Sequence, residues 1–310
     1  MRRNRFLSQI LALAMLVSLL LANITGVRAE NGGQKGTTGM KTYKLWYDED
    51  APHTLEGFLQ SLPLGNGYMG INVFGGVETE MLSVTENSLF NPFVSTTTDR
   101  YTPSGEKRVF DSRGGLGLLA RTYIDFDHTN VSNYERSLLL NDAVASVSYD
   151  HDGVHYTREY FATYPDKVTV MRLSADQPGA LSFTLRPVAP FVSEYLEVPG
   201  DGMGKTGKVV ASGDSIVVSG MMDWYDINYE GLYKVIPQGG TMVANNDENG
   251  ENGTITVTGA DSVVILLAVG TNYHMVSENF ASNYKDVRMD PNEDPHDKVQ
   301  GQDRRFDIYR

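Results

Sequence analysis

Two aspartates separated by one residue have the spacing in this chain that comes closest to acid–base chemistry. Asp125 and Asp127 flank Phe126 in a segment that would suit an extended backbone. Alternate residues of a strand point the same way, which would place the two carboxylates about 7 Å apart. That distance suits the acid and base that hydrolyse a glycosidic bond with inversion. An acidic loop on so acidic a chain is more commonly solvated, and nothing fixes a protonated partner, so we assign no catalytic residue here.

Two histidines four residues apart, His151 and His155, would have metal-binding spacing on a helix. They flank a predicted hairpin turn instead, so they need not share a face, and the sequence indicates no third ligand. Structural and catalytic zinc sites use three or four convergent ligands. We therefore predict solvated turn histidines, no metal site and no cofactor.

Residues 65–70 match the G-x-G-x-x-G pattern of dinucleotide-binding proteins. That pattern must open a helix whose N-terminus holds a pyrophosphate, whereas residues 71–74 are strand-like. The glycines therefore predict a tight turn between two strands. Our candidate ligand-binding residues are Asn66 in this turn, and Glu86 with Asn87 after the next strand-like run. A polar pair leaving a strand can face a cleft or cap the following turn, and we weight the cap more heavily.

The elements that must hold these residues are mainly short strands of alternating polarity. Residues 145–149 and 154–161 alternate on either side of an Asp-Gly corner, which predicts a hairpin. Residues 168–173 and 181–188 predict a second pair, joined across Ala-Asp-Gln-Pro-Gly. Residues 263–269 are continuously apolar, which indicates a strand buried on both faces.

Helical spacing is rare in the chain. Apolar residues from Leu55 to Leu62 recur at i, i+3, i+4 and i+7 before Pro63, which predicts two helical turns. Three residues within 280–287 suggest one more short helix. Many short strands separated by turns favour an all-β fold, a large antiparallel two-sheet sandwich (a supersandwich) with one or two short helices.

Composition excludes several classes of protein. The chain has 310 residues, of which 41% are hydrophobic and 21% charged, and this is typical of a globular protein. It contains no cysteine, which excludes disulfides, thiolate catalysis, cysteine-based zinc sites and iron–sulfur clusters. Its formal charge of −13 disfavours nucleic acid as a partner.

The N-terminus has the pattern of an export signal. Three arginines in the first five residues precede an apolar core at 10–22, and Val27-Arg28-Ala29 offers a cleavage site. A membrane anchor is the alternative, but the core is too short to span comfortably. We predict a signal peptide at 1–29, a flexible lead-in at 30–42, and no membrane association after cleavage. A secreted or cell-surface chain without cysteine favours a bacterial source.

Five segments form a recognisable series: Lys44–Tyr47, Leu62–Gly70, Val73–Val77, Asn133–Ala143 and Val154–Asp166. In their residues, order and spacing they resemble the N-terminal domain of glycoside hydrolase family 95, the α-L-fucosidases. The resemblance covers 43–295, which we predict to be the β-sandwich N-terminal domain.

The resemblance implies that the sandwich precedes an (α/α)6 barrel that carries the catalytic groups. That barrel is missing from these residues, so we expect the chain alone to be inactive and to support and line the barrel's active site. Fucosylated or other glycans would be partners of the full-length enzyme. Residues 296–310 depart from the family pattern, and we expect an irregular tail there, produced by truncation or a frame shift.

Two alternatives remain open. A stand-alone carbohydrate-binding module would use aromatic platforms such as Trp46 with Tyr47 or Trp224 with Tyr225. The sandwich of a related α-glucoside hydrolase or phosphorylase would have the same architecture. A docked barrel predicts an apolar patch, whereas a module predicts a polar surface with one aromatic groove.

Overall fold

The computed structural model of the protein describes most of the chain after residue 41. The described residues are 42–91, 100–101, 107–108, 115–189, 205–222, 227–273 and 293–306. The predicted signal peptide, the aromatic pair Trp224 with Tyr225 and the predicted helix within 280–287 lie outside them. Within the described part of the chain, neither helix is both long and apolar enough to cross a bilayer.

Strands dominate the described residues. They are β1 Lys44–Tyr47, β2 Leu62–Gly65, β3 Met69–Val73, β4 Thr79–Asn91, β5 Arg100–Tyr101, β6 Lys107–Arg108, β7 Gly115–Asp125, β8 Ser132–Leu139, β9 Val144–His151, β10 Val154–Ala162, β11 Val168–Ala175, β12 Leu181–Val188, β13 Lys205–Ser212, β14 Ser215–Met222, β15 Ile227–Gln238, β16 Thr241–Asn245, β17 Thr254–Ala260 and β18 Ser262–Thr271. The two helices are α1, Leu55–Gln60, and α2, Pro295–Phe306.

The strands form two large antiparallel sheets and one small hairpin. The nine-stranded sheet has the order β1-β8-β9-β10-β11-β18-β15-β14-β13, and the seven-stranded sheet has the order β16-β17-β12-β7-β4-β3-β2. Strands β5 and β6 pair with each other. Apolar side chains of both large sheets share one core cluster, which confirms the predicted all-β two-sheet sandwich with few helices.

Burial follows the predicted periodicities. In β12, the apolar residues Leu181, Phe183 and Leu185 are buried and alternate with partly exposed polar residues. Strand β18 is buried almost throughout, as its apolar run predicts. Its outer side belongs to a second apolar cluster that includes Leu266 and is completed by Val299 of α2. This strand is therefore covered on both faces.

One predicted hairpin is confirmed and the other is wrong. Strands β9 and β10 pair around Asp152 and Gly153, which both have positive φ. Strands β11 and β12, by contrast, lie in different sheets. The short link between them crosses the sandwich, and the Gly179 N–H donates to the Asp261 carboxylate at 2.8 Å. Alternating polar and apolar residues indicate that a segment is a strand. They do not indicate which sheet the strand joins, because a strand of either sheet has one buried face.

Helix α1 confirms the predicted helical turns. Its N-cap Thr54 accepts a hydrogen bond from the Gly57 N–H at 3.0 Å. The Ser61 hydroxyl donates to the Phe58 carbonyl at 2.6 Å where the helix ends, just before Pro63.

Helix α2 differs from the irregular tail expected from residue 296. Pro295 occupies the first turn, where it costs no hydrogen bond, and Asp294 accepts from the His296 N–H at 2.9 Å. Val299 is buried against the outer face of the nine-stranded sheet. Gly270 of β18 lies under the helix, and a Cβ added there would come within 2.7 Å of the Pro295 carbonyl oxygen. Tertiary contact thus stabilises a helix whose own sequence is largely polar.

Candidate functional site

The Gly65–Gly70 turn joins β2 to β3, as predicted, and Asn66 organises it. The Asn66 side-chain oxygen accepts from the N–H groups of Tyr68 at 2.9 Å and Met69 at 2.7 Å. Its amide nitrogen donates to the Thr163 carbonyl at 2.6 Å, which ties the turn to the link after β10. Both polar groups of Asn66 therefore have structural partners.

The structure brings the three candidate residues together. Met69 of β3 pairs with Glu86 of β4, so the acid lies next to the turn. The Asn87 N–H donates to the Tyr68 carbonyl at 2.9 Å, and its side-chain amide donates to the Gly67 carbonyl at 3.2 Å. Glu86 and Asn87 lie inside β4 rather than after its end, at a register shift against β7. Asn87 is exposed, whereas Glu86 is buried.

Glu86 is an acid that is only 1% exposed. Its carboxylate accepts from the Ser88 N–H at 2.9 Å and from the Ser88 hydroxyl at 2.5 Å. The Ser88 hydroxyl also lies 2.5 Å from the Thr271 hydroxyl of β18. Burial raises the pKa of Glu86, while the hydrogen bonds from Ser88 and the positive charge of Lys298 act in the opposite direction.

Tyr68 and α2 complete the surroundings of this acid. The Tyr68 hydroxyl donates to the Val269 carbonyl at 3.0 Å. Burial, followed by the negative charges of Glu86 and Glu293, raises the pKa of Tyr68. Lys298 of α2 forms an ion pair with Glu293 and donates to the Tyr273 carbonyl at 3.1 Å. The cluster links four parts of the fold, but its central carboxylate is too buried to touch a ligand in this conformation.

The two aspartates do not form the same-side pair that an extended strand would give. Strand β7 ends at Asp125, and Asp127 has a φ of 58°. Asp125 is held by Arg186, whose Nε and Nη2 lie 3.0 and 3.3 Å from its carboxylate oxygens. It also accepts from the Thr79 hydroxyl at 3.0 Å. Asp125 therefore has a structural role.

The two histidines have different environments. His155 is exposed, and its Nδ1 lies 2.6 Å from the Asp150 carboxylate. His151 is partly buried and stacks on His128, with ring centroids 4.5 Å apart. In the described parts of the chain, no group of three or more histidine, aspartate or glutamate side chains has metal-binding geometry.

Sequence reasoning missed a buried ion pair in the core. Glu80 is fully buried and lies 3.3 Å from Nη1 of Arg158, which is 1% exposed. Tyr160 donates to Glu80 at 3.0 Å, and the N–H groups of Phe74 and Gly75 donate to its other oxygen at 3.1 and 2.7 Å. Because both oxygens of the buried Glu80 carboxylate have partners, a structural role fits this residue. No sequence signal joined Glu80 to Arg158, because the two lie 78 positions apart.

An exposed apolar rim was also missed. The rim consists of Tyr43, just before edge strand β1, Leu45 of β1, and Phe58 and Leu59 of α1, all of which are exposed. Arg136 connects the two elements, because its guanidinium lies 4.4 Å from the Tyr47 ring centroid and donates to the Gln60 carbonyl at 2.7 Å. Apolar residues in a sequence predict burial, so only the structure shows which of them are exposed to solvent.

The family described as "Glycosyl hydrolase family 65, N-terminal domain" matches residues 95–276, which is more than half of the chain. The chain belongs to this family. Together with the fucosidase relatives below, this match confirms the predicted N-terminal domain of a glycosidase of the family 95 and 65 type.

Two relatives are named as fucosidases. Alpha-L-fucosidase 2 of Arabidopsis thaliana is 30% identical over 147 residues, which cover 40% of this chain and 17% of that protein. Probable alpha-fucosidase A of Aspergillus niger is 25% identical over 269 residues, which cover 77% of this chain and 32% of that protein. The chain therefore spans about a third or less of the length of these relatives.

A solved structure described as a putative kojibiose phosphorylase from the human microbiome is also similar. It has a TM-score of 0.46 and 11% sequence identity, and the match covers 86% of this chain and 37% of that one.

Proposed function

We propose that this chain is the N-terminal β-sandwich part of a secreted glycoside hydrolase that resembles α-L-fucosidases. It supports a helical catalytic barrel outside these 310 residues and lines one wall of its active site. The substrates of the whole enzyme are fucosylated glycans. The observation that carries the proposal is the match of 77% of this chain to 32% of a probable α-fucosidase.

The candidate site supports a structural role for this chain and a catalytic role for the barrel. Glycoside hydrolysis needs an acid and a second carboxylate that flank one bond and reach the substrate. Among the described carboxylates discussed above, Glu80 and Glu86 are buried and Asp125 is paired with Arg186. The apolar rim on β1 and α1 offers a surface that a second domain would cover.

An activity assay tests the proposal. The chain without its predicted signal peptide is incubated with an aryl α-L-fucoside, alongside an active α-L-fucosidase as the positive control. We expect no release of the aryl group by this chain. A cooperative unfolding transition in the same preparation shows that the protein is folded, and clear turnover would contradict the proposal.

A second candidate is the sandwich of an α-glucoside hydrolase or phosphorylase, which the name of the matched family favours. Sequencing the DNA downstream of codon 310 separates the two. Barrel-coding sequence that resembles the fucosidases in any frame supports the first candidate. Sequence that resembles α-glucoside enzymes supports the second, and unrelated sequence contradicts both.

Secretion is tested separately. Residues 1–29 are fused to a reporter enzyme that is active only after export. We expect reporter activity outside the cytoplasm, which deletion of the apolar core at 10–22 abolishes. Reporter activity confined to cells after lysis would contradict an exported protein.

A further inference from the structure

Edge strand β1 separates two surfaces of different chemistry. Leu45 pairs with Leu138 of β8, and Leu138 belongs to the core cluster, so Leu45 faces inward. Alternation then directs Tyr43 and Tyr47 to the inner side, and Lys44 and Trp46 to the outer face of the nine-stranded sheet. The Trp46 side chain is 61% exposed there. The apolar rim and Trp46 therefore lie on different sides of the same strand.

The strand registers place a continuous row of side chains next to Trp46. Trp46 pairs with Ser137, Ser137 with Ser146, Ser146 with Glu159 and Glu159 with Arg172. These five residues lie on five neighbouring strands, β1, β8, β9, β10 and β11. At about 4.8 Å between strands, the row extends about 19 Å across the outer face. It begins with an aromatic ring and continues with polar groups only.

Contacts between members hold the row in place. The hydroxyls of Ser137 and Ser146 lie 3.0 Å apart. Arg172 donates to Glu159 at 3.1 Å, and the two side chains remain 41% and 29% exposed. Ser137 is only 3% exposed, so its role is to hold Ser146 in place. Ser146, Glu159 and Arg172 are preorganised and remain partly exposed to solvent.

A second ion pair borders the indole ring. Lys44 precedes Trp46 by two residues, and Glu135 precedes its cross-strand partner Ser137 by two residues. Because the strands are antiparallel, the two charged residues lie on opposite sides of the Trp46–Ser137 pair, yet their side chains meet in an ion pair. The pair must therefore run along the outer face beside Trp46.

We propose that this row, from Trp46 to Arg172, is a binding site for an extended neutral oligosaccharide. The indole stacks on a sugar ring, and the side chains of Ser146, Glu159 and Arg172 bond successive hydroxyl groups. The choice of a carbohydrate rests on the proposed glycoside hydrolase function. The site is distinct from the Glu86 cluster and performs no chemistry.

The surroundings of Trp46 favour a sugar over a docked protein domain. Stable protein interfaces have an apolar centre. No large apolar side chain of β8, β9 or β10 is exposed in the structure as described, so Trp46 stands beside a polar sheet face. A single aromatic ring next to hydroxyl, carboxylate and guanidinium groups matches a pyranose, which has an apolar ring face and polar edges.

Isothermal titration calorimetry tests the site with three probes: cellohexaose, maltohexaose and 2′-fucosyllactose. The wild-type chain without its predicted signal peptide is expected to bind at least one of them. Trp46→Ala should weaken that binding at least tenfold, and Glu159→Gln and Arg172→Met should each weaken it about three- to tenfold. Tyr164→Ala is the matched control, because this side chain is 74% exposed but lies off the row. It should leave the affinity unchanged.

Unfolding curves show whether each variant is folded, and substitution of the exposed Trp46 should not lower stability. The proposal is overturned if the wild-type chain binds none of the three probes, if Trp46→Ala binds as well as wild type, or if Tyr164→Ala loses as much affinity. Turnover of the aryl fucoside would contradict the proposed function without affecting the row. Absence of oligosaccharide binding would contradict the row without affecting the proposed function.

Discussion

Strand β4 carries two nearly inaccessible carboxylates, Glu80 and Glu86, whose charges are compensated in different ways. Glu80 has a guanidinium at 3.3 Å, a tyrosine hydroxyl and two backbone N–H donors. Glu86 accepts hydrogen bonds from Ser88, and the opposing positive charge comes from Lys298 of α2. Burial raises the pKa of Glu86 despite these contacts.

These different partners indicate different roles: Glu80 is a residue of the core, whereas Glu86 links β4 to β18 and α2. Glu80 of the seven-stranded sheet contacts Arg158 and Tyr160 of the nine-stranded sheet, so it is part of the packing between the two sheets. The ionisation of Glu86 depends on hydroxyl groups from two strands and on the position of a helix. The same substitution at the two positions should therefore have very different effects on the free energy of unfolding.

The largest effect is expected for Glu80→Gln. The substitution leaves the Arg158 guanidinium buried without a counter-charge, which should cost about 3–5 kcal/mol of stability. Asp125→Asn is the matched control, since Arg186 is partly exposed and its loss of a partner should cost no more than about 1 kcal/mol. Urea unfolding at pH 7 measures both. Equal losses would mean that burial of the Glu80 pair does not matter.

A smaller loss, about 1–2 kcal/mol, is expected for Ser88→Ala at pH 7, because the Glu86 carboxylate loses its hydroxyl donor. In a Glu86→Gln background the loss should be smaller, since the acceptor is then neutral. A double-mutant cycle from urea unfolding gives the coupling. Identical losses in both backgrounds would show that the Ser88 hydroxyl acts through Thr271 alone.

His128 extends the comparison to a buried base, whose Nδ1 lies 2.9 Å from the Tyr149 hydroxyl. Burial and the positive charges of His151 and Arg158 outweigh the negative charges of Asp127 and Asp152 and lower its pKa from 6.5 to about 4. The neutral form is therefore favoured in the folded protein, and stability should be lost as pH falls from about 6.5 through about 4. His128→Gln should flatten this part of the stability curve. An unchanged slope between these pH values would contradict the role of His128.

The smallest effect at neutral pH is expected for Glu86→Gln, within about 1 kcal/mol of wild type. The raised pKa means that the folded protein favours the protonated acid more than the unfolded chain does. Wild-type stability should then fall as pH rises above the ordinary carboxyl value of 4.5, whereas the glutamine cannot ionise. The variant should therefore gain stability relative to wild type as pH rises above about 4.5. A relative loss over that range would show that the carboxylate is the favoured form.

Local patterns predicted much of the sandwich because side-chain alternation reports directly on burial. The glycine-rich turn, the β9–β10 hairpin and the doubly buried β18 are all local properties of the chain. The meeting of Asn66, Glu86 and Asn87 follows from the turn and the next strand, so it was accessible from sequence as well.

Pairings between distant segments were not accessible. The partners of β11 and β12 depend on which sheet each strand joins, which alternation does not encode. The Glu80–Arg158 pair and the row from Trp46 to Arg172 exist only once the registers of several strands are fixed. Helix α2 has a mostly polar sequence, and contacts with the rest of the fold, such as those of Val299 and Lys298, stabilise it.

The missing side chain at Gly270 sets how deeply α2 sits on the sheet. An added methyl group would meet the Pro295 carbonyl, the Lys298 Cβ at 2.9 Å and the Val299 side chain at 3.2 Å. The helix would have to lift, which would carry the lysine ammonium group away from the buried acid on β4. Replacing Gly270 of β18 with alanine would thus change the proton affinity of Glu86 on β4.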